Sequence, residues 1–184
     1  GATTPIAPPE NDDTILVSTR VGPAVLGRGY MEAVDDREIE RVAAEQATRS
    51  DGIRGRINRV AFQSEMTADA RFHTLKKGDM AIGRFGFKAR VPTLDDFTAD
   101  ALLGDMGITS PLRPNELPNP DGLKDDQKPG VDVGLESVQK RADYMRLIAI
   151  PRRDVDEAGR ALFARAKCDV CHTPSLKTRA DYPI

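Results

Sequence analysis

A mainly α-helical fold with long irregular loops is what this sequence predicts, on three observations. Apolar residues recur at helical spacing in four separate stretches, each with a start or stop signal. Thirteen prolines and 15 glycines are spread over 184 residues and interrupt the chain between those stretches. The β-branched stretch at 15–25 is cut by Gly22 and Pro23, so it allows at most a short strand.

Taken in order, residues 1–14 are rich in Pro and Asp and are expected to form an extended arm lying on a partner or on the body of the protein. Asp35 opens the first helix, with Glu38 at the third position of a capping box. Ile39, Val42, Ala43 and Ala47 are its buried stripe, and Ser50-Asp51-Gly52 is its stop. Thr93 caps the second helix, with Asp96 three residues on, Leu94, Phe97, Ala101 and Leu102 facing inward, and Gly104 as the end. Five prolines at 110–134, with Gly122, Gly130 and several acids, predict a long surface loop. Helical periodicity returns at 135–148 through Leu135, Val138, Ala142 and Met145, and Pro151 closes it. Residues 15–150 therefore read as one loop-rich helical domain.

The bulk composition is lean for a self-sufficient globule: aromatics are 5%, tryptophan is absent, and mean hydropathy is -0.45. Such a chain needs something else to build a core around. Net charge is -2 with 27 dispersed basic residues, so no nucleic-acid partner is indicated. No apolar run approaches the roughly 18 to 20 residues that span a bilayer, and no transmembrane segment is expected.

Residues 151–184 carry the chemistry. An amphipathic helix at 154–167, with Val155, Ala158, Leu162, Phe163 and Ala166 on one face, delivers its end to Cys168-Asp169-Val170-Cys171-His172. Two thiols and an imidazole at this spacing are what covalent haem attachment requires: each sulfur adds across one vinyl group, and His172 becomes the iron's proximal ligand. Zinc or a bare dithiol is the alternative. Zinc wants a second ligand pair, and the only other histidine or cysteine is His73. A thioredoxin-like site wants the pair after a strand, and here a helix precedes it. On this reading 151–184 begin a cytochrome c-like haem domain that is incomplete in this chain, since twelve residues follow His172. Another chain completing the haem pocket, or a longer protein, is the expectation. Covalent attachment takes place outside the bacterial cytoplasm, so a periplasmic or otherwise extracytoplasmic location is expected. The first residues show neither a basic nor an apolar leader region, which fits a processed or excised start.

Several ordered strings carry a family resemblance. They are Arg20-Val21-Gly22-Pro23, Gly27-Arg28-Gly29-Tyr30-Met31-Glu32-Ala33-Val34, Asp51-Gly52-Ile53-Arg54-Gly55-Arg56-Ile57-Asn58 and Gly83-Arg84-Phe85-Gly86-Phe87-Lys88-Ala89. Gly104-Asp105-Met106-Gly107-Ile108-Thr109-Ser110, and the cysteine motif with Thr173-Pro174 and Leu176-Lys177-Thr178, complete them. With them the chain resembles the di-haem oxidoreductase family of peroxidase type, also labelled thiol oxidoreductases. The resemblance implies at least one covalent haem c here and a second haem in the longer family members, which carry an earlier motif upstream and a closing segment downstream. This chain looks like their central portion. The family usually has Trp where Phe87 stands.

Other candidate site residues follow. His73 is a candidate distal ligand or acid/base group, although a surface position is its expected place. Met31, Met66, Met80, Met106 and Met145 each offer a thioether to iron, but methionines more often fill cores. Glu32, in a glycine-flanked loop, is the candidate catalytic base for moving a proton between peroxide oxygens. Arg84 and Lys88 are candidate partners of haem propionates, and Asp105 is read as structural. The implied activity is a haem peroxidase, with peroxide or a redox partner protein as the other reactant. The alternative is an electron-transfer module whose six-coordinate haem relays electrons in a larger assembly.

Overall fold

A computed structural model describes residues 21–22, 24–117, 128–152 and 154–183. The expected arm at 1–14, most of the 15–25 stretch and the middle of the proline-rich loop lie outside the described residues. The chain is mainly helical, in the order α1 (Arg28–Ala33), α2 (Asp36–Ala47), β1 (Arg59–Ala61), β2 (Met80–Ile82), α3 (Leu94–Met106), α4 (Leu135–Leu147) and α5 (Glu157–Arg165). A single 3₁₀ turn, Cys168–Val170, follows α5.

α3 and α4 are the centre of the body. One apolar cluster joins Ala99 and Leu102 of α3 to Val138 of α4, Ala68 and Leu112. A second joins Leu94 to Ala142 of α4, Phe85 and Val91. α1 crosses α4 at Gly29, where an added Cβ would lie 2.2 Å from the Arg146 carbonyl oxygen, so only glycine permits the approach. β1 and β2 pair antiparallel, with Arg59 opposite Ile82 and Ala61 opposite Met80.

The N-caps stand where the sequence places them. Asp35 accepts from Arg37 N at 2.9 Å and Thr93 accepts from Asp96 N at 3.2 Å. Neither capping box closes. Glu38 turns to Arg41 instead, while Asp35 N donates to the Lys177 carbonyl, and the Asp96 carboxylate takes Ser64 Oγ and Arg113. The α2 stripe differs from expectation, since only Glu38 of that helix is buried. Ile39, Val42 and Ala43 are half-buried and line an apolar cavity of about 310 Å³ with Ile57, Ile82 and Leu176, and Ala47 is exposed. α3 runs past Gly104 and ends at Gly107, whose φ of 68° lets its N–H and that of Ile108 reach the Leu103 and Leu102 carbonyls. α4 nearly matches the expected 135–148. α5 starts at Glu157 rather than at 154, capped by Asp156, whose carboxylate accepts from Gly159 N.

Residues after His172 run back along the body. Val34 pairs antiparallel with Thr178, Asp35 N donates to Lys177 O at 3.0 Å, and Arg179 N donates to Ala33 O at 2.8 Å. The segment that carries the cysteine motif is thus fastened to the α1–α2 junction.

Candidate functional site

The 3₁₀ turn sets the geometry of the two thiols. Side chains three apart eclipse in such a turn, so Cys168 and Cys171 fall on one side of it. Both sulfurs are free, and Cys171 is exposed. His172 follows directly, with its N–H bonded to Cys168 O at 2.8 Å. Its ring meets the Phe163 ring edge to face at 5.8 Å. His172, Phe163, Gly159, Arg160 and Pro174 line an open cavity of about 750 Å³. α5 buries none of its residues, and Leu162 and Phe163 are 58% and 42% exposed. The His172 imidazole and the Phe163 ring thus share one open cavity, which neither cysteine lines.

Three devices hold the turn. Lys167 adopts φ 59°, a left-handed conformation uncommon outside glycine, and swings the chain from α5 into the turn. Its ammonium meets Asp51 at 2.9 Å, and Arg49 meets the same carboxylate. Arg49 and then Lys167 hold the Asp51 carboxyl well below the usual range. Gln46 of α2 donates to Val170 O, and its own oxygen accepts from Gly55 N.

Glu32 lies elsewhere, on α1 rather than in a loop, and is buried rather than solvated. Its carboxylate accepts from Leu94 N, Arg146 Nε and Tyr182 Oη, each at 2.7 Å. Arg146, with a side chain 0% exposed, also binds Asp95 at 2.7 Å and Asp143 at 3.0 Å and stacks 3.5 Å from the Phe72 ring centroid. These partners overcome the burial penalty and hold the guanidinium firmly protonated. Asp95 is kept anionic by His73 and Arg146 against its own burial.

The expected surface position of His73 is corrected by the structure. Its side chain is 8% exposed, its ring packs edge-on against Phe62 at 5.3 Å, and Nε2 lies 3.5 Å from Asp95. Neither ring nitrogen has a hydrogen-bond partner. His73 and Glu32 share a polar cavity of about 710 Å³ with Arg71, Arg84 and Arg179, apart from the one at His172.

Arg84 binds Asp36 and the Met31 carbonyl with a side chain 10% exposed. Lys88, at φ 61°, is exposed, and its carbonyl accepts from Asn58. Neither lines the cavity at His172, whereas Arg160 does. Met66, Met80 and Met106 are exposed, as is Met31, whose sulfur accepts from Arg28 at 3.3 Å, and Met145 packs half-buried against the second apolar cluster. Asp105 is exposed near the end of α3. Among the described residues no group of three or more His, Cys, Asp or Glu side chains converges to hold a metal ion.

The chain is a mainly helical body with two thiols and a histidine in sequence on one half-buried to exposed turn. A family model described as "Di-haem oxidoreductase, putative peroxidase" matches residues 8–184, and the chain belongs to that family. No curated protein matches it, and no solved structure does. The family's description supplies the oxidoreductase class and haem. Among the described residues, no helix is long and apolar enough to cross a membrane.

Proposed function

We propose that this chain is an extracytoplasmic, periplasmic haem oxidoreductase of peroxidase type, with haem c bonded through Cys168 and Cys171 and its iron ligated by His172. The observation that carries it is that Cys168, Cys171 and His172 follow one another through a single 3₁₀ turn, with His172 lining a wide cavity whose wall includes the half-exposed Phe163 ring of α5. When bound, haem supplies the one-electron chemistry by which peroxide is reduced.

The chain's own residues orient and fasten. Phe163 fixes the His172 ring from one side. Lys167, Asp51 and Gln46 hold the turn against α2. Arg160 shares the cavity with His172 and pairs only loosely with Glu157, at 3.6 Å, so its fork is offered to a propionate carboxylate. Lys88 is available to an anionic group reaching the 83–89 turn, while Arg84 holds α1 to the body. Glu32 anchors Arg146. Peroxide or a redox partner protein is the other reactant, and a cytochrome c-like pocket completed by further polypeptide is the expected setting.

The test is to mature the protein with covalent haem and record its intact mass, pyridine haemochrome and oxidised and reduced optical spectra. Covalently bound haem is expected in the wild type and is lost in Cys168→Ala/Cys171→Ala. A ferric iron with an open sixth position that reacts with peroxide is expected. Two strong axial side chains and no reaction with peroxide would instead identify an electron relay.

A further inference from the structure

We propose that Tyr182 is a redox-active side chain that loses one electron as its phenolic proton passes to Glu32. Its oxygen lies 2.7 Å from Glu32 Oε2, a hydrogen bond short enough for direct transfer. Of the three tyrosines, Tyr30 and Tyr144 are 60% and 69% exposed, while Tyr182 is half-buried and bonded to a buried carboxylate. A phenol that loses only an electron becomes a strongly acidic cation. A base already bonded to the hydroxyl removes the proton in the same step and leaves a neutral radical.

The surroundings favour each part of that step. Burial, and then the charge of Glu32, push the phenol well above the usual tyrosine range, so at neutral pH the proton is present to be given. Glu32 belongs to a group in which three carboxylates, its own and those of Asp95 and Asp143, share the Arg146 guanidinium. A proton on Glu32 relieves that excess of negative charge, and Arg146 keeps Asp95 and Asp143. The Arg179 guanidinium sits 5.2 Å from the centre of the Tyr182 ring, where it opposes a cationic ring but not a neutral radical. Phe72, 5.6 Å from the same ring, shields one side.

The balance is simple. The Tyr182 O–H bond breaks and an O–H bond forms on Glu32 Oε2. One electron leaves for a one-electron oxidant, and reduction reverses both. Tyr182 lies ten residues beyond His172 on a segment pinned to α1 at Arg179. A haem held by Cys168, Cys171 and His172 would supply the one-electron oxidant when peroxide is present, and this part rests on the function proposed above.

The experiment uses the haem-loaded full chain in two arms. In the first, a photogenerated metal-complex oxidant withdraws one electron, and tyrosyl radical is followed by electron paramagnetic resonance and transient absorption. A fast component independent of buffer concentration, slowed in D₂O, is expected in the wild type, Tyr30→Phe and Tyr144→Phe, and is absent in Tyr182→Phe. Glu32→Gln, if it folds, slows that component about 100-fold. Its absence from the wild type, or its survival in Tyr182→Phe, overturns the proposal. The second arm replaces the photo-oxidant with peroxide. A radical formed by light but not by peroxide leaves the Tyr182–Glu32 couple standing and overturns the haem as its oxidant.

Discussion

The buried charges around Arg146 and the cysteine-bearing turn after α5 are built on opposite terms. In the first, every charged group meets its partners inside the protein: Arg146 binds three carboxylates, and Glu32 accepts from three donors. In the second, α5 buries nothing, and Val155, Leu162 and Phe163 face solvent. The guanidinium and carboxylates of this cluster satisfy one another. The turn is an apolar surface held in place by a few polar fasteners, which is what a chain must offer when a prosthetic group is to supply the missing contacts. Covering apolar area stabilises by roughly 25 cal/mol per Å², so such a group would tie α5 to the turn far more firmly than the fasteners do.

The largest effect that could break this contrast is at Arg146. Arg146→Met leaves Glu32 as a buried carboxylate without a cation and Asp95 with only His73 beside it, and removal of one member of a buried pair costs about 3–5 kcal/mol. Urea denaturation followed by far-UV circular dichroism should show that loss with or without haem. Arg146→Lys should recover only part of it, because an ammonium is a point charge and cannot bridge three carboxylates as the planar fork does. A loss below about 1 kcal/mol would mean that the cluster does not hold the body together.

Two phenylalanines sharpen the comparison. Phe85 is fully buried between Val91, Leu94 and Phe97, and Phe85→Ala should cost about 3–5 kcal/mol in any state of the protein. Phe163 is 42% exposed. Phe163→Ala in the Cys168→Ala/Cys171→Ala background should change stability by no more than about 0.5 kcal/mol. In the haem-loaded protein the same change should cost at least about 1 kcal/mol, because the ring then has an apolar group to pack against. Equal effects in both backgrounds would show that α5 does not face the haem.

Legibility in the sequence follows the range of the interactions. The caps at Asp35 and Thr93 are set by bonds two or three residues away and were readable. The end of α3 was not, because Gly104 and Gly107 look alike in sequence and only the second has a left-handed φ. α1 reads as a loop because it is six residues long, preceded by Gly27 and carries Gly29 within it. Its helix depends on Gly29 lying against Arg146 and on Glu32 binding across the core. The three-residue strands are too short to show alternation. At the site, Cys168, Cys171 and His172 are legible because their chemistry is local. Glu32 was legible as a residue of interest but not its setting, since Arg146 lies 114 positions away and Tyr182 150 positions away. Arg146, Asp95 and Tyr182 carry no local signal at all. His73 was expected at the surface and is buried because Asp95 and Phe62 come to it from distant segments.

The smallest expected effect concerns the fasteners. Arg41 holds the Glu38 carboxyl down to about 2 from its ordinary 4.5. A carboxyl lowered on folding stabilises the protein above its unfolded value, and that contribution fades as pH falls from about 4.5 towards 2. Asp51, lowered by Arg49 and Lys167, behaves the same way below its ordinary 3.8. Asp51 differs in what it holds, because its partner Lys167 adjoins Cys168. Asp51→Asn should therefore raise amide exchange at Val170 and Cys171 in haem-free protein while leaving Leu102 in the α3 core unchanged. Glu38 also accepts from the Lys177 backbone N–H, so Glu38→Gln should weaken that contact and flatten the acid limb of the stability curve. If Asp51→Asn moved Leu102 as much as Cys171, the turn would be continuous with the core, and the distinction between a buried charge cluster and a fastened surface would fail.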